Sequence, residues 1–249
     1  MKSILINPLG TTPMVASEMF SYLRNTDENL NTTILMYTQN DSVKKGALIA
    51  KEALNYKYPK CRVIMKELCM NDIKDDASLV EFMSEFVNII NEEKNVYKVD
   101  KIYLNVSGGR KIQNIILSIY AGLFGIDSVY NVFDPSMQNV NERYEQIKFD
   151  IFKGLDEGLS PKEAFLLREQ QILDLFFPPL GPLVFLEVNV IKFPEDEKRK
   201  LAEALNGVDY TDGHIENFRL KSYKNSGLIT FDRTRTYPTN LGEVIKRGL

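Results

Sequence analysis

The feature that most constrains the fold is an alternation. Over the first 135 residues, short apolar strands and amphipathic helical segments take turns at ~30-residue spacing, the pattern of a doubly wound parallel sheet. Residues 3–7, 33–37, 61–68, 101–106 and 128–133 read as strands. Met14, Val15, Met19, Phe20 and Leu23 recur at helical spacing, and further helices are expected over about 42–56 (with Asp41 as cap), 77–93 and 111–124. The last of these is apolar nearly all round, which suggests burial between the sheet and a partner. In sheets of this kind ligands sit outside the carboxyl ends of the strands, where strand order reverses. The loops after the first and fourth strands would both open there.

Those two loops carry the most distinctive residues. After the fourth strand comes Asn105-Val106-Ser107-Gly108-Gly109-Arg110-Lys111, leading into a helix. Two glycines let the backbone approach a ligand, the first helical turn offers N–H groups to an anion, and Arg110 and Lys111 add two cations. This reads as a phosphate site; the plainer alternative is a tight turn with solvated charges. After the first strand, Pro8-Leu9-Gly10-Thr11-Thr12-Pro13 repeats the strand–loop–helix grammar. Either threonine can cap the following helix, with Pro13 at its first position.

Composition excludes several functions. The 249 residues carry a net charge of −3, so the chain is not a polycation built to coat nucleic acid. Residues 192–249 hold 11 Lys and Arg against 9 Asp and Glu, a mildly basic segment that permits DNA binding without demanding it. His214 is the sole histidine, which rules out a multi-histidine metal site and makes a Ser-His-Asp triad improbable. Cys61 and Cys69 suit core packing better than a disulfide. No apolar run approaches the ~20 residues that span a bilayer, so no membrane and a cytoplasmic location are expected.

Beyond residue 135 the pattern loosens. Residues 138–150 are polar and read as less regular. Ser160, Pro161 and Glu163 form a capping box that opens a helix running to about Phe177. The prolines of 178–182 mark a linker, and 183–191 reads as one strand. A charged helix at 195–206 follows, then a helix starting at Thr211-Asp212, strands near 227–231 and 236–239 joined by a basic turn, and a final helix from 241. Helix, turn, helix and a basic-tipped hairpin resemble a winged helix-turn-helix. His214, Asn217, Lys221 and Lys224 would face a major groove, and Arg233 and Arg235 phosphate. The same module could instead serve dimerisation or cover the crevice.

The Gly10-Thr11-Thr12-Pro13 loop and the Ser107-Gly108-Gly109-Arg110-Lys111 turn together resemble the CRISPR-associated Rossmann-fold (CARF) proteins, with Thr12 where a serine is usual. The resemblance implies an α/β, Rossmann-like parallel sheet over 1–150, a linker helix and strand over 151–191, and a winged helix-turn-helix over 192–249. It is most similar to the archaeal ring nucleases, and so implies a homodimer that binds cyclic tetra-adenylate. Cleavage would proceed by attack of a ribose 2′-hydroxyl on its own phosphate, without metal or other cofactor, to linear di-adenylate with a 2′,3′-cyclic phosphate. This would switch off type III CRISPR signalling. Gly10, Thr11, Thr12, Ser107, Gly108, Gly109, Arg110 and Lys111 would bind the ring, and Thr12, Arg110 and Lys111 would carry catalysis. Lys162 or Arg168 could add a cation. The main rival is a transcription regulator of the same build that binds the ring without cutting it and uses the winged helix on DNA. A histidine-dependent ribonuclease effector and a dinucleotide-dependent oxidoreductase lack their motifs.

Overall fold

A computed structural model of the chain describes residues 1–209, 211, 213–232 and 234–249, with Met137 described by its backbone alone. Asp212, expected to open a helix, and Arg233, expected on phosphate, lie outside the described residues, as does Tyr210. The chain divides into two compact units.

The first unit comprises Met1–Asp72, Val99–Ile119 and Ile126–Val190. Its strands β1 (Ser3–Pro8), β2 (Leu30–Tyr37), β3 (Arg62–Glu67), β4 (Lys101–Asn105), β5 (Ser128–Phe133) and β6 (Val184–Val188) form one sheet in the order β3-β2-β1-β4-β5-β6. The first five run parallel and β6 returns antiparallel on β5. Leu5 sits beside Thr33 and Tyr103, and Ile6 beside Ile34 and Leu104. Both faces of β1 are buried, which is why it reads as a continuous apolar run rather than an alternation. The chain winds outward from β1 to β3, then crosses back to β4 on the other side of β1. Strand order therefore reverses between β1 and β4, and the crevice expected there has a structural basis.

Helices α1 (Met14–Thr26), α2 (Asp41–Lys57), α5 (Met137–Asp156), α6 (Pro161–Leu166) and α7 (Glu169–Phe176) share one core with Leu5, Leu35, Tyr103 and Val132 of the sheet. Helix α4 spans Lys111–Tyr120. A right-handed crossover from β4 to β5 runs against the β1-to-β3 direction, so α4 lies on the face opposite α1 and α2.

In this unit several local expectations are corrected. Asn40, not Asp41, caps α2, its side chain accepting the Val43 N–H. The 138–150 stretch is not irregular: it lies within α5, where Tyr144, Ile147 and Ile151 recur at helical spacing and are buried among charged neighbours. The helix opened by Ser160 has the expected capping box but breaks at Leu167 and Arg168, giving α6 and α7. Helix α4 stops at Tyr120. It is also not buried all round, since Ile116 and Leu117 are covered while Ile112, Ile115 and Ile119 are exposed.

The second unit comprises Ile73–Lys98, Tyr120–Gly125 and Ile191–Leu249. Helix α3 (Asp76–Asn91) starts from an Asp75 capping box and runs into a π-helical turn, Glu92–Val96. Although it falls between β3 and β4 in sequence, it packs on the terminal helix α10 (Asn240–Gly248). Asn91 Nδ2 donates to the Arg247 carbonyl at 2.7 Å, and Arg247 Nη2 donates to Ser84 Oγ at 2.8 Å. Between them in this unit come α8 (Glu195–Leu205), α9 (Asn217–Asn225) and an antiparallel hairpin of β7 (Ile229–Asp232) and β8 (Arg235–Pro238). Helix α9 starts at Asn217 rather than at Thr211. The Thr211 N–H and hydroxyl both donate to Asp209 Oδ1, so that residue closes a side-chain turn instead of opening a helix. No described helix is long and apolar enough to cross a membrane.

Thr236 ties the hairpin to α8. Its fully buried hydroxyl donates to the Ala204 carbonyl at 2.8 Å and accepts the Val208 N–H at 3.1 Å. Thr236→Val keeps the volume but strands the Val208 N–H and leaves the Ala204 carbonyl with the Gly207 N–H at 3.3 Å. It is expected to cost about 1–3 kcal/mol, read as a lower denaturant midpoint at unchanged slope.

Candidate functional site

The site is built on a buried chain of amides. Asn7 and Asn105, near the carboxyl ends of β1 and β4, are both essentially inaccessible to solvent. Asn105 Nδ2 donates to Asn7 Oδ1 at 2.9 Å and to the Val15 carbonyl of α1 at 3.0 Å. Asn7 Nδ2 donates to Thr33 Oγ1 at 2.8 Å, which in turn donates to the Leu5 carbonyl. At the other end Asn105 Oδ1 accepts the Ser107 N–H at 3.0 Å, and Ser107 Oγ accepts the Val132 N–H at 2.6 Å. The chain crosses β2, β1, β4 and β5 and pins both α1 and the glycine turn to the same point. Sequence reasoning passed over Asn7 as a strand end; its polarity inside a continuous apolar strand was the available signal.

The two loops meet backbone against backbone. A Cβ on Gly108 would collide with the Pro8 carbonyl oxygen, and Gly109 has φ of +76°, so both positions need glycine. A Cβ on Gly10 would lie 3.2 Å from the Gly109 nitrogen. The turn is held from below by Asn114, whose Nδ2 donates to the Gly108 carbonyl at 2.6 Å. The buried Gln113 accepts the Arg110 N–H at 2.8 Å through Oε1, so one N–H at the head of α4 is engaged within the chain. Neither threonine caps α1. Pro13 occupies the cap position with no side-chain bond, and Thr12 Oγ1 reaches 3.4 Å toward Asn141 Oδ1 of α5 instead.

Between the loops lies a cleft of about 150 Å³. Of the residues expected to bind, Gly10, Thr11, Gly109 and Arg110 line it. Gly108 is buried beneath them, Ser107 is tied to β5, and Thr12 and Lys111 are not among the lining residues. The opposite wall, which sequence reasoning missed, is Thr38 and Asn40 just past β2 and Asn71 past β3. Their only signal was position, since each follows the carboxyl end of a parallel strand. Arg110 is exposed, and its Nη2 lies 3.0 Å from Asp72 Oδ2. Lys162 and Arg168 are elsewhere: Lys162 lines a separate cavity with Glu52 and Tyr56, and Arg168 pairs with Asp150 at 2.5 Å. Among the described residues no group of three or more His, Cys, Asp or Glu is gathered as a metal ion would need.

Glu18 of α1 and Asp134, just past β5, are both buried acids, 1 % and 3 % exposed. Neither Glu18 oxygen has a hydrogen-bond partner, and Asp134 Oδ2 has none. Burial first, and the Asp134 charge second, push the Glu18 carboxyl up to about 7. A carboxyl raised from about 4.5 in the unfolded chain holds its proton more tightly when folded. Its stabilising contribution is complete below pH ~4.5 and lost as pH rises through ~7. Loss of stability on the order of 3 kcal/mol is expected across that window. Glu18→Gln should flatten it and melt higher above pH 7, as thermal unfolding followed from pH 4 to 8 would register.

Comparison with known proteins places this geometry. The family model described as CRISPR-associated protein NE0113 matches residues 12–178, well over half of the chain. A CRISPR system ring nuclease of Saccharolobus solfataricus is 27 % identical over 149 residues, covering 58 % of this chain and 79 % of that protein. Among solved structures, Enterococcus italicus Csm6 bound to cyclic hexa-2′-fluoro-hexa-dAMP superposes with a TM-score of 0.51 at 16 % identity. The match covers 90 % of this chain, which spans half the length of that Csm6 chain. The mostly parallel sheet with its crevice at the β1/β4 reversal is a CARF-type Rossmann-like fold, and the chain belongs to the family of CRISPR-associated protein NE0113.

Proposed function

We propose that the chain is a metal-independent ring nuclease. It binds cyclic tetra-adenylate and cuts it to linear di-adenylate ending in a 2′,3′-cyclic phosphate. The observation that carries this reading is the meeting of the Gly10–Thr11 and Gly108–Arg110 loops at the strand-order reversal, backbone to backbone, with a guanidinium at the rim. The ring-nuclease relative and the cyclic oligonucleotide held by Csm6 supply the ligand class. The attack is intramolecular, so the protein need only hold the 2′-oxygen in line and stabilise charge on the phosphate. Arg110 exchanges Asp72 for a ring phosphate and Thr11 orients the attacking ribose, while Lys111 at the head of α4 and Thr12, beside the cleft rather than in its lining, are the proposed second cation and second hydroxyl.

A cleft of about 150 Å³ is small against a ring of four nucleotides, so one copy is proposed to hold only part of it. A second copy completes the site. Ile112, Ile115 and Ile119 form an exposed apolar stripe on α4, and Phe133, Val184, Leu186 and Val188 expose one face of the β5–β6 edge. Apolar surface of this extent marks an interface. Because α4 begins at the glycine turn, an isologous contact through it sets two crevices side by side around a symmetric ligand.

The test is a single-turnover incubation with labelled cyclic tetra-adenylate in EDTA. Di-adenylate with a cyclic phosphate end is expected, and Arg110→Ala should slow its appearance by ~10²–10³-fold. No product together with no binding would overturn the reading. Ile115→Glu with Ile119→Glu is expected to give monomers by sedimentation and to lose turnover with the fold intact by circular dichroism.

The C-terminal segment favours a second reading, a regulator that binds the ring intact and reads DNA. Asn217, Lys221 and Lys224 are exposed on α9, and Arg235 is exposed on the hairpin. Against it, His214 Nε2 lies 3.2 Å from Glu203 Oε2, and the Lys224 ammonium sits over the Phe231 ring. Tight binding of an uncut ring would select this reading.

A further inference from the structure

Another cavity, of about 230 Å³, lies at the other end of the sheet. Arg24 reaches it from the last turn of α1, Asn31 from the start of β2, Lys57 from the end of α2, and Tyr58 and Lys60 from the α2-to-β3 connection. These are the amino ends of β2 and β3. Asn31 and Thr38 mark the two ends of β2, roughly 23 Å apart at ~3.3 Å per strand residue. The cavity is therefore separate from the crevice.

Its charge is unusual for an acidic chain. Several cations of the same unit are matched by carboxylates, as in Lys44–Glu67 at 3.0 Å, Lys45–Asp41 at 2.7 Å and Arg168–Asp150 at 2.5 Å, while single ones such as Lys101, over the Tyr103 ring, are not; here three gather at one cavity. Among the described residues none of Arg24, Lys57 and Lys60 has a carboxylate partner. Arg24 donates to the Glu28 backbone carbonyl, and the Lys57 ammonium lies 6.0 Å from the Phe177 ring centroid. No acidic residue lines the cavity. Cys61 lines it too, but burial pushes its thiol up to about 12, so it brings no negative charge. Three like charges around one cavity repel one another unless an anion joins them. The wall between them is fixed and flat: the Tyr58 hydroxyl donates to Ser21 Oγ at 3.0 Å, and its ring packs edge-on against Phe20.

We propose that this cavity binds the phosphate monoester of a nucleotide, with the dianion among Arg24, Lys57 and Lys60 and the nucleoside against Tyr58 and Pro59. Two lysines and a guanidinium match the charge and donor needs of a phosphate, and an aromatic wall accepts a base or sugar. The site is independent of the ring-nuclease reading and would survive its failure.

Calorimetric titration of the full chain at low ionic strength, with 5′-AMP and separately with inorganic phosphate, tests it. In an Arg110→Ala background, which removes the crevice cation, one site per chain should remain. Adding Lys57→Ala and Lys60→Ala, both exposed positions, should weaken it at least tenfold without shifting the melting temperature. 5′-AMP binding tenfold tighter than phosphate is the expected order. Equal affinities would overturn the nucleotide assignment. Affinity unchanged without the two lysines, or lost already with Arg110→Ala, would overturn the site.

Discussion

Everything at the crevice depends on two asparagines inside an apolar sheet. Asn7 and Asn105 are buried amides that satisfy each other and reach outward to Thr33, Val15 and Ser107. An amide left unpaired there would cost about 1–3 kcal/mol, so the relay fixes its own geometry. Because it ends on the Ser107 N–H and on the α1 backbone, it sets the spacing of the two loops before any ligand arrives. The glycines then allow that spacing to be a backbone contact. A site assembled this way is preorganised by the fold, which is what stabilisation of charge on a phosphate requires.

The parallel sheet was legible because its central strands β1 and β4 are buried on both faces and its helices on one, two patterns that local sequence records directly. The glycine turn was legible because its conformation demands specific residues. Helix α5 was not, since Tyr144, Ile147 and Ile151 are thinly spread among charges. Nor was the association of α3 with α10, because an amphipathic face does not name the surface it will meet. At the site, Thr38, Asn40 and Asn71 are ordinary polar loop residues until the topology carries the ends of β2 and β3 to the crevice. Lys111 and Thr12 carry the right chemistry in the motif yet lie outside the cleft lining, because a turn of known sequence does not fix which side chains point inward.

Charge is distributed to match these roles. Arg110 is compensated by Asp72, an exposed pair whose worth is small and which a phosphate can replace at little cost. The apolar face of α4 and the β5–β6 edge has no such partner within the described chain. In the proposed dimer both needs are met by one event, since closing the apolar face also completes a crevice too small for a ring by itself.

The proposed function requires two copies to share one ring. The most direct measurement is binding stoichiometry, by titrating the chain at concentrations far above the dissociation constant with cyclic tetra-adenylate and weighing the complex by native mass spectrometry. Half a ring per chain, in a particle of two chains and one ring, is the predicted result. One ring on a single chain, or a dimer that holds none, would contradict it.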